Sequence, residues 1–142
     1  MVRFSVELPN LHPIFKFFSI IFLTNDNFRQ METISWQDFE KVHLRAGTIL
    51  EVRDFPKAKK PAYQLVIDLG AELGIKQSSA QLTKLYSKEE LLGRQVICVT
   101  NFAPRQVANF LSEVLVTGFV LPDGEVILSS IERPVMNGTL LA

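Results

Sequence analysis

Five short strand-like runs, separated by Gly, Pro or polar turn residues and broken once by a capped helical segment, constrain this chain more than any other feature. VHLRAGTILEVRDF (42–55) alternates apolar with polar around Leu44, Ala46, Ile49 and Val52. Gly47 stands where a strongly bent strand needs a residue without a side chain. YQLVIDLG (63–70) follows a connector, PKAKKPA (56–62), whose two prolines forbid regular structure. GIKQSSAQL (74–82) is a third, more polar run. SKEELLG (87–93) pairs Ser87 with Glu90 at capping-box spacing and ends on Gly93, which suits the left-handed residue that closes a helix. RQVICVT (94–100) and SEVLVTGFV (112–120) are the fourth and fifth strands, and PDG (122–124) turns the chain into EVILSSI, a further hairpin strand.

Three strands, a helix and two strands is the order of an OB-fold: all-β with a short helix, a five-stranded Greek-key barrel, here with an extra C-terminal hairpin strand. At 142 residues, with 47% hydrophobic and 21% charged side chains, the chain has the size and composition for one such core. In this barrel the loops between strands one and two and between strands four and five bind ligands. Those loops are PKAKKPA and FAPRQVANFL, so the lysines of the first and Arg105 of the second are expected on one face.

Composition shifts at Met31. Residues 1–34 read as an N-terminal extension, non-native or upstream of a true start at Met31, and residues 35–142 as the OB-fold domain. The most apolar run, IFKFFSIIFL (14–23), has ten residues with Lys16 inside it, against about 20 needed to cross a bilayer, so no membrane span is expected. Pro9 and Pro13 interrupt any signal-peptide pattern, and TNDNF offers no small-residue cleavage site. Ser35, Trp36, Asp38 and Phe39 are spaced for one short capped helical turn.

Fifteen basic and fifteen acidic residues cancel, so any contact with nucleic acid must come from local clustering. Lys57, Lys59 and Lys60 are the densest such cluster, with Arg53 and Arg45 on the preceding strand. They pair with phosphates or they solvate a loop tip; the sequence leaves both open. Asn101, Arg105, Gln106, Asn109 and Ser112 bring a planar fork, amides and a hydroxyl to the second loop, while Phe102 and Phe110 either stack on bases or belong to the core. Lys76, Ser78 and Gln81 make the third strand polar enough to line a groove. Catalysis has little to work with. His12 and His43 are isolated, GAELG lacks the spacing of a phosphate loop, and the single Cys98 allows neither an internal disulfide nor a CxxC metal site. No enzyme activity, metal or cofactor is expected, and the lone thiol suits a reducing compartment.

DFEKVHLRAGTI (38–49), FPKAKKPAYQLVIDLGAELGIKQSSAQLTKLY (55–86), QVICVTNFAPRQVANFLSEVLVTG (95–118) and PVMNGT (134–139) resemble the tRNA-binding OB domain. That domain is found free-standing, in EMAPII-like cytokines and appended to methionyl- and phenylalanyl-tRNA synthetases. Within the family the likeness is to a branch of small bacterial export-related chaperones. The resemblance implies a cytoplasmic homodimer that binds tRNA or structured RNA and, for that branch, unfolded or preprotein segments. Two positions depart from the family pattern. Asn109 stands where a Gly is common, and Ser112–Leu115 reads SEVL where an S-x-G-M-like segment is common, so Glu113 is expected close to any bound phosphate.

Overall fold

Strand β1 (Leu44–Asp54) is eleven residues long and serves two neighbours in succession. Its first half pairs antiparallel with β4 (Gln95–Val99), from Leu44 opposite Val99 to Thr48 opposite Gln95. Its second half pairs antiparallel with β2 (Tyr63–Asp68), from Thr48 opposite Asp68 to Asp54 opposite Tyr63, with a register shift between Ile49 and Glu51. A strand can switch partners this way only by bending, and Gly47 permits the bend. A Cβ there would meet Ile67 Cγ2 and Leu69 Cδ2 at 2.7 Å. The computed structural model describes residues 31–142; the expectations for the extension, for His12 and for the apolar run 14–23 lie outside the described residues.

The order of the main sheet is β3-β2-β1-β4-β7, where β3 is Ile75–Ala80 and β7 is Leu115–Val116. The last strand returns beside the third, which makes a nearly closed five-strand antiparallel barrel, as the sequence order predicts. The period-two pattern explains the inside of it. Tyr63, Leu65 and Ile67 of β2 are buried while Gln64, Val66 and Asp68 between them are half-exposed. Ile49, Leu65, Ile67, Leu69, Leu91, Val96 and Cys98 are fully enclosed, and each large aliphatic side chain so placed contributes about 1.5–3 kcal/mol.

Three short helical segments accompany the barrel among the described residues: α1 (Trp36–Glu40), α2 (Gly70–Leu73) and α3 (Lys88–Leu91). The capping boxes predicted for α1 and α3 are both formed, Ser35 with Asp38 and Ser87 with Glu90. Gly93 has the left-handed φ of 78° expected after α3. Leu91 is the one buried residue of α3 and plugs the barrel core.

Two expectations are corrected. Residues 101–111 are not a plain loop: they hold most of a hairpin of β5 (Arg105–Val107) and β6 (Phe110–Ser112). The left-handed Ala108, at φ 50°, makes its turn, and Gln106 Nε2 donates to Ala108 O at 2.9 Å. Residues 112–120 are not one strand either. The chain leaves β4 after Val116, and β8 (Gly118–Val120) pairs with β9 (Val126–Leu128) through the predicted PDG turn. Thr117 is the joint, because its N–H donates to Ile97 O while its carbonyl accepts from Ser129 N.

The segment 134–141 straps the free side of the first half of β1. Ala46 N donates to Thr139 O, Gly138 N to Ala46 O and Leu141 N to Leu44 O. Asn137 is its rivet. Its Oδ1 accepts from Thr48 Oγ1 at 2.7 Å and Gln95 Nε2 at 3.2 Å, and its Nδ2 donates to Asp68 Oδ2 at 3.0 Å.

Candidate functional site

Strand register decides which loops share an end of the barrel. Asp54 lies opposite Tyr63, and Tyr63 opposite Ala80, so the lysine loop 56–62 and the exit of β3 are at one end. The β5–β6 hairpin comes to the same place by two routes. Phe55, at the mouth of the lysine loop, is buried with its ring centroid 5.5 Å from that of Phe110 on β6. Ser79, Ala80 and Gln81 also line one cleft with Arg105, Val107 and Ser112.

That cleft has a volume of about 740 Å³. Its floor is Leu82, Val114, Val116, Val126 and Leu128, its rim Phe102, Leu115, Gln81 and Arg105. Phe102 is 55% exposed and Leu115 49%, large fractions for apolar side chains facing water. Arg105 is exposed and forms no ion pair or side-chain hydrogen bond among the described residues. The arrangement suits a ligand that is mostly apolar with a negative or hydrogen-bonding group at one edge.

The other predicted site residues divide by whether their polar atoms are spent. Lys57, Lys59 and Lys60 are exposed and unpaired among the described residues, so their ammonium groups face solvent. Arg53, just before them, is taken by Glu51. Asn109 is exposed at the hairpin turn, and Gln106 is occupied in holding that turn.

Asn101 is a latch: its Oδ1 accepts from His43 N at 2.9 Å and its Nδ2 donates to Lys41 O at 2.7 Å. Arg45 is likewise turned inward. It donates to Gly138 O at 2.9 Å and pairs with Glu72 at 3.2 Å, with its side chain only 17% exposed. Ser78 is 1% exposed and sits in the core.

Ser112, Glu113 and Lys76 close the barrel. Ser79 N donates to Ser112 Oγ at 3.1 Å, Gln77 N donates to Glu113 Oε2 at 3.1 Å, and Glu113 N donates to Gln77 O at 2.8 Å. Lys76 Nζ lies 3.5 Å from Glu113 Oε1. The Glu113 charge is therefore neutralised and hydrogen-bonded within the seam between β3 and β6. The sequence reading missed Leu82, Leu115, Val126 and Leu128 as cleft residues: Leu82 arrives from the exit of β3, Leu115 from the return of strand five, and Val126 and Leu128 from the β8–β9 hairpin.

No group of His, Cys, Asp and Glu residues arranged to hold a metal occurs among the described residues. Burial pushes the Cys98 thiol up to about 12. It is inert in the core.

A nearly closed small barrel whose loop-lined cleft combines apolar walls with unpaired cations defines a binding module of the OB type. Residues 44–140 match the family model described as a putative tRNA binding domain, and this chain belongs to that family. Among solved structures it is similar to the chaperone CsaA from Bacillus anthracis str. Ames, with 45% identity, a TM-score of 0.74, and coverage of 78% of this chain and 100% of that one. CsaA from Picrophilus torridus is similar to the same extent, at 46% identity, TM-score 0.72, and coverage of 78% and 100%. The methionine–tRNA ligase of Pyrococcus horikoshii is 36% identical over 110 residues, which cover 72% of this chain and 15% of that enzyme. The chain thus spans a small part of such ligases, about the length of one appended domain.

Proposed function

We propose that this chain is a non-catalytic, homodimeric module of the CsaA type, which holds unfolded or preprotein segments as a chaperone assisting export from the cytoplasm. The observation that carries the reading is the cleft of about 740 Å³, apolar over its floor, with Phe102 and Leu115 left facing water and Arg105 unpaired at its rim. An exposed apolar hollow of this kind suits unfolded polypeptide, whose apolar side chains have no core of their own. Residues 35–142 are the working domain in this reading. Two copies would double the surface and raise avidity without new contacts. The exposed apolar side chains Phe119, Val120 and Met136 support a second copy, and sedimentation equilibrium of the full chain measures it directly.

A second reading, binding of tRNA or structured RNA without chaperone activity, has its own support. Lys57, Lys59 and Lys60 are exposed and unpaired beside the hairpin that carries Arg105, and the inward tie of Glu113 removes one source of repulsion for phosphate. Each phosphate neutralised adds about 0.7–0.9 to the salt slope of binding.

One experiment separates the two. Aggregation of a chemically denatured substrate protein is followed with the full chain present, with and without bulk tRNA, alongside tRNA titrations at about 50 and 200 mM salt. Suppression that tRNA leaves unchanged is the expected result. Salt-dependent tRNA binding with no suppression supports the RNA reading, and suppression that tRNA abolishes assigns both ligands to one surface.

A further inference from the structure

Asn137 is the only asparagine of the chain followed by glycine. That pairing has a chemistry of its own. The backbone nitrogen of the following residue, once deprotonated, attacks the side-chain carbonyl carbon: the N–Cγ bond forms, the Cγ–Nδ2 bond breaks, and ammonia carries the proton away. Water then opens the resulting cyclic imide to aspartate or to isoaspartate. Glycine favours the attack because no Cβ crowds the nitrogen. In the folded chain both reacting groups are withheld. Gly138 N donates to Ala46 O at 2.8 Å, and the Asn137 amide is aimed away from it, at Thr48, Gln95 and Asp68. The turn is fixed as well. Thr139 N donates to Met136 O at 3.1 Å, and Gly138, with φ 88°, takes the third position of a type II turn.

We propose that Asn137–Gly138 is a modification site gated by the C-terminal strap: deamidation proceeds only from the opened strap, and its product keeps the strap from closing again. Asn137 Nδ2 is the donor to Asp68 Oδ2 at 3.0 Å. Aspartate puts a carboxylate oxygen in that place, so attraction becomes repulsion between like charges. Isoaspartate brings the Cβ of residue 137 into the main chain ahead of Gly138, which throws the strap's bonds to Ala46 and Leu44 out of register. Opening bares the backbone groups of Leu44 and Ala46 as a strand edge and takes Gly138 O from Arg45, which keeps Glu72. Gln95 governs how often this happens. It clamps the entry of the strap by bonding Val135 through both N and O, besides Asn137 Oδ1.

The test uses the full chain and a free peptide of residues 135–142, both kept at mildly alkaline pH. Mass spectrometry of the digested samples separates amide, aspartate and isoaspartate at position 137. Conversion in the native chain at least about tenfold slower than in the peptide is expected, because only the opened fraction reacts. Gln95→Ala should speed conversion, and so should urea below the unfolding midpoint of the wild type, a measurement that needs no variant to fold. Conversion of the native chain at the peptide's rate, or no acceleration by either treatment, overturns the gate. For the product, Asn137→Asp should unfold at lower urea than wild type, with faster hydrogen exchange at the Ala46 and Leu141 amides at neutral pH. Unchanged exchange at those two amides overturns the latch, whatever the midpoint.

Discussion

The rings of Phe55 and Phe110 meet with centroids 5.5 Å apart and planes tilted by 57°, and this contact fastens the lysine-bearing connector to the arginine-bearing hairpin. The two residues are far apart in sequence and belong to different connections of the barrel. Their packing is the physical basis for treating loop 56–62 and residues 101–111 as one surface.

Phe110→Ala removes the ring from this contact. A cost of about 1–3 kcal/mol is expected from lost burial and lost aromatic pairing. Urea unfolding measures it. Affinity for an unfolded client protein should fall, because the hairpin loses its anchor; a stability loss with client affinity intact would show that the anchor does not shape the site.

Asn137 holds the C-terminal strap to Thr48, Gln95 and Asp68. Asn137→Ala leaves these half-buried groups unpaired and should cost about 1–3 kcal/mol in denaturant unfolding. Gly138→Ala should be at least as harmful, since the residue has φ +88° and its Cβ would approach Leu69 O to 2.6 Å.

The capping box of α3 predicts an acid limb of stability. Hydrogen bonds from Ser87 hold the Glu90 carboxyl below its ordinary value of 4.5. A carboxyl lowered on folding stabilises fully above its unfolded value, and that contribution is lost as pH falls through the folded one. Wild type and Glu90→Gln, compared by urea midpoint from neutral pH down to acid, should therefore converge as pH drops below 4.5.

Cys98, fully buried with its thiol pushed up to about 12, should resist iodoacetamide in the native protein. Alkylation should track unfolding, so its rate rises with urea in step with the loss of structure. Rapid labelling without denaturant would mean that the β1–β4 region opens locally.

The barrel was legible because its determinants are local. Period-two alternation in YQLVID, the Ser87/Glu90 box and the PDG turn each act within a few residues, and the strand order follows from them. Gly47 was readable for the same reason. The two misread segments depend on distant partners. Residues 105–112 form a hairpin through Ala108, a residue type that rarely turns left-handed, and the split at Thr117 is imposed by Ile97 and Ser129.

The site was half legible. Lys57, Lys59, Lys60, Arg105 and Asn109 keep the exposure their composition suggests. Asn101, Arg45, Ser78 and Ser112 carry the same polar groups, but bonds or burial set by tertiary packing occupy them. Nothing in the sequence near those residues reveals which polar atoms will be spent. The apolar floor was missed because Leu82, Val126 and Leu128 converge only after closure.

The most direct measurement of the account is the affinity of labelled carboxymethylated α-lactalbumin for the wild-type chain and for Phe102→Asp, with folding of both confirmed by circular dichroism. Phe102 is 55% exposed on the cleft rim, so the substitution should spare the fold. The cleft account predicts at least about tenfold weaker binding, equivalent to about 1.4 kcal/mol. Equal affinities for the two proteins would contradict it and place the client elsewhere.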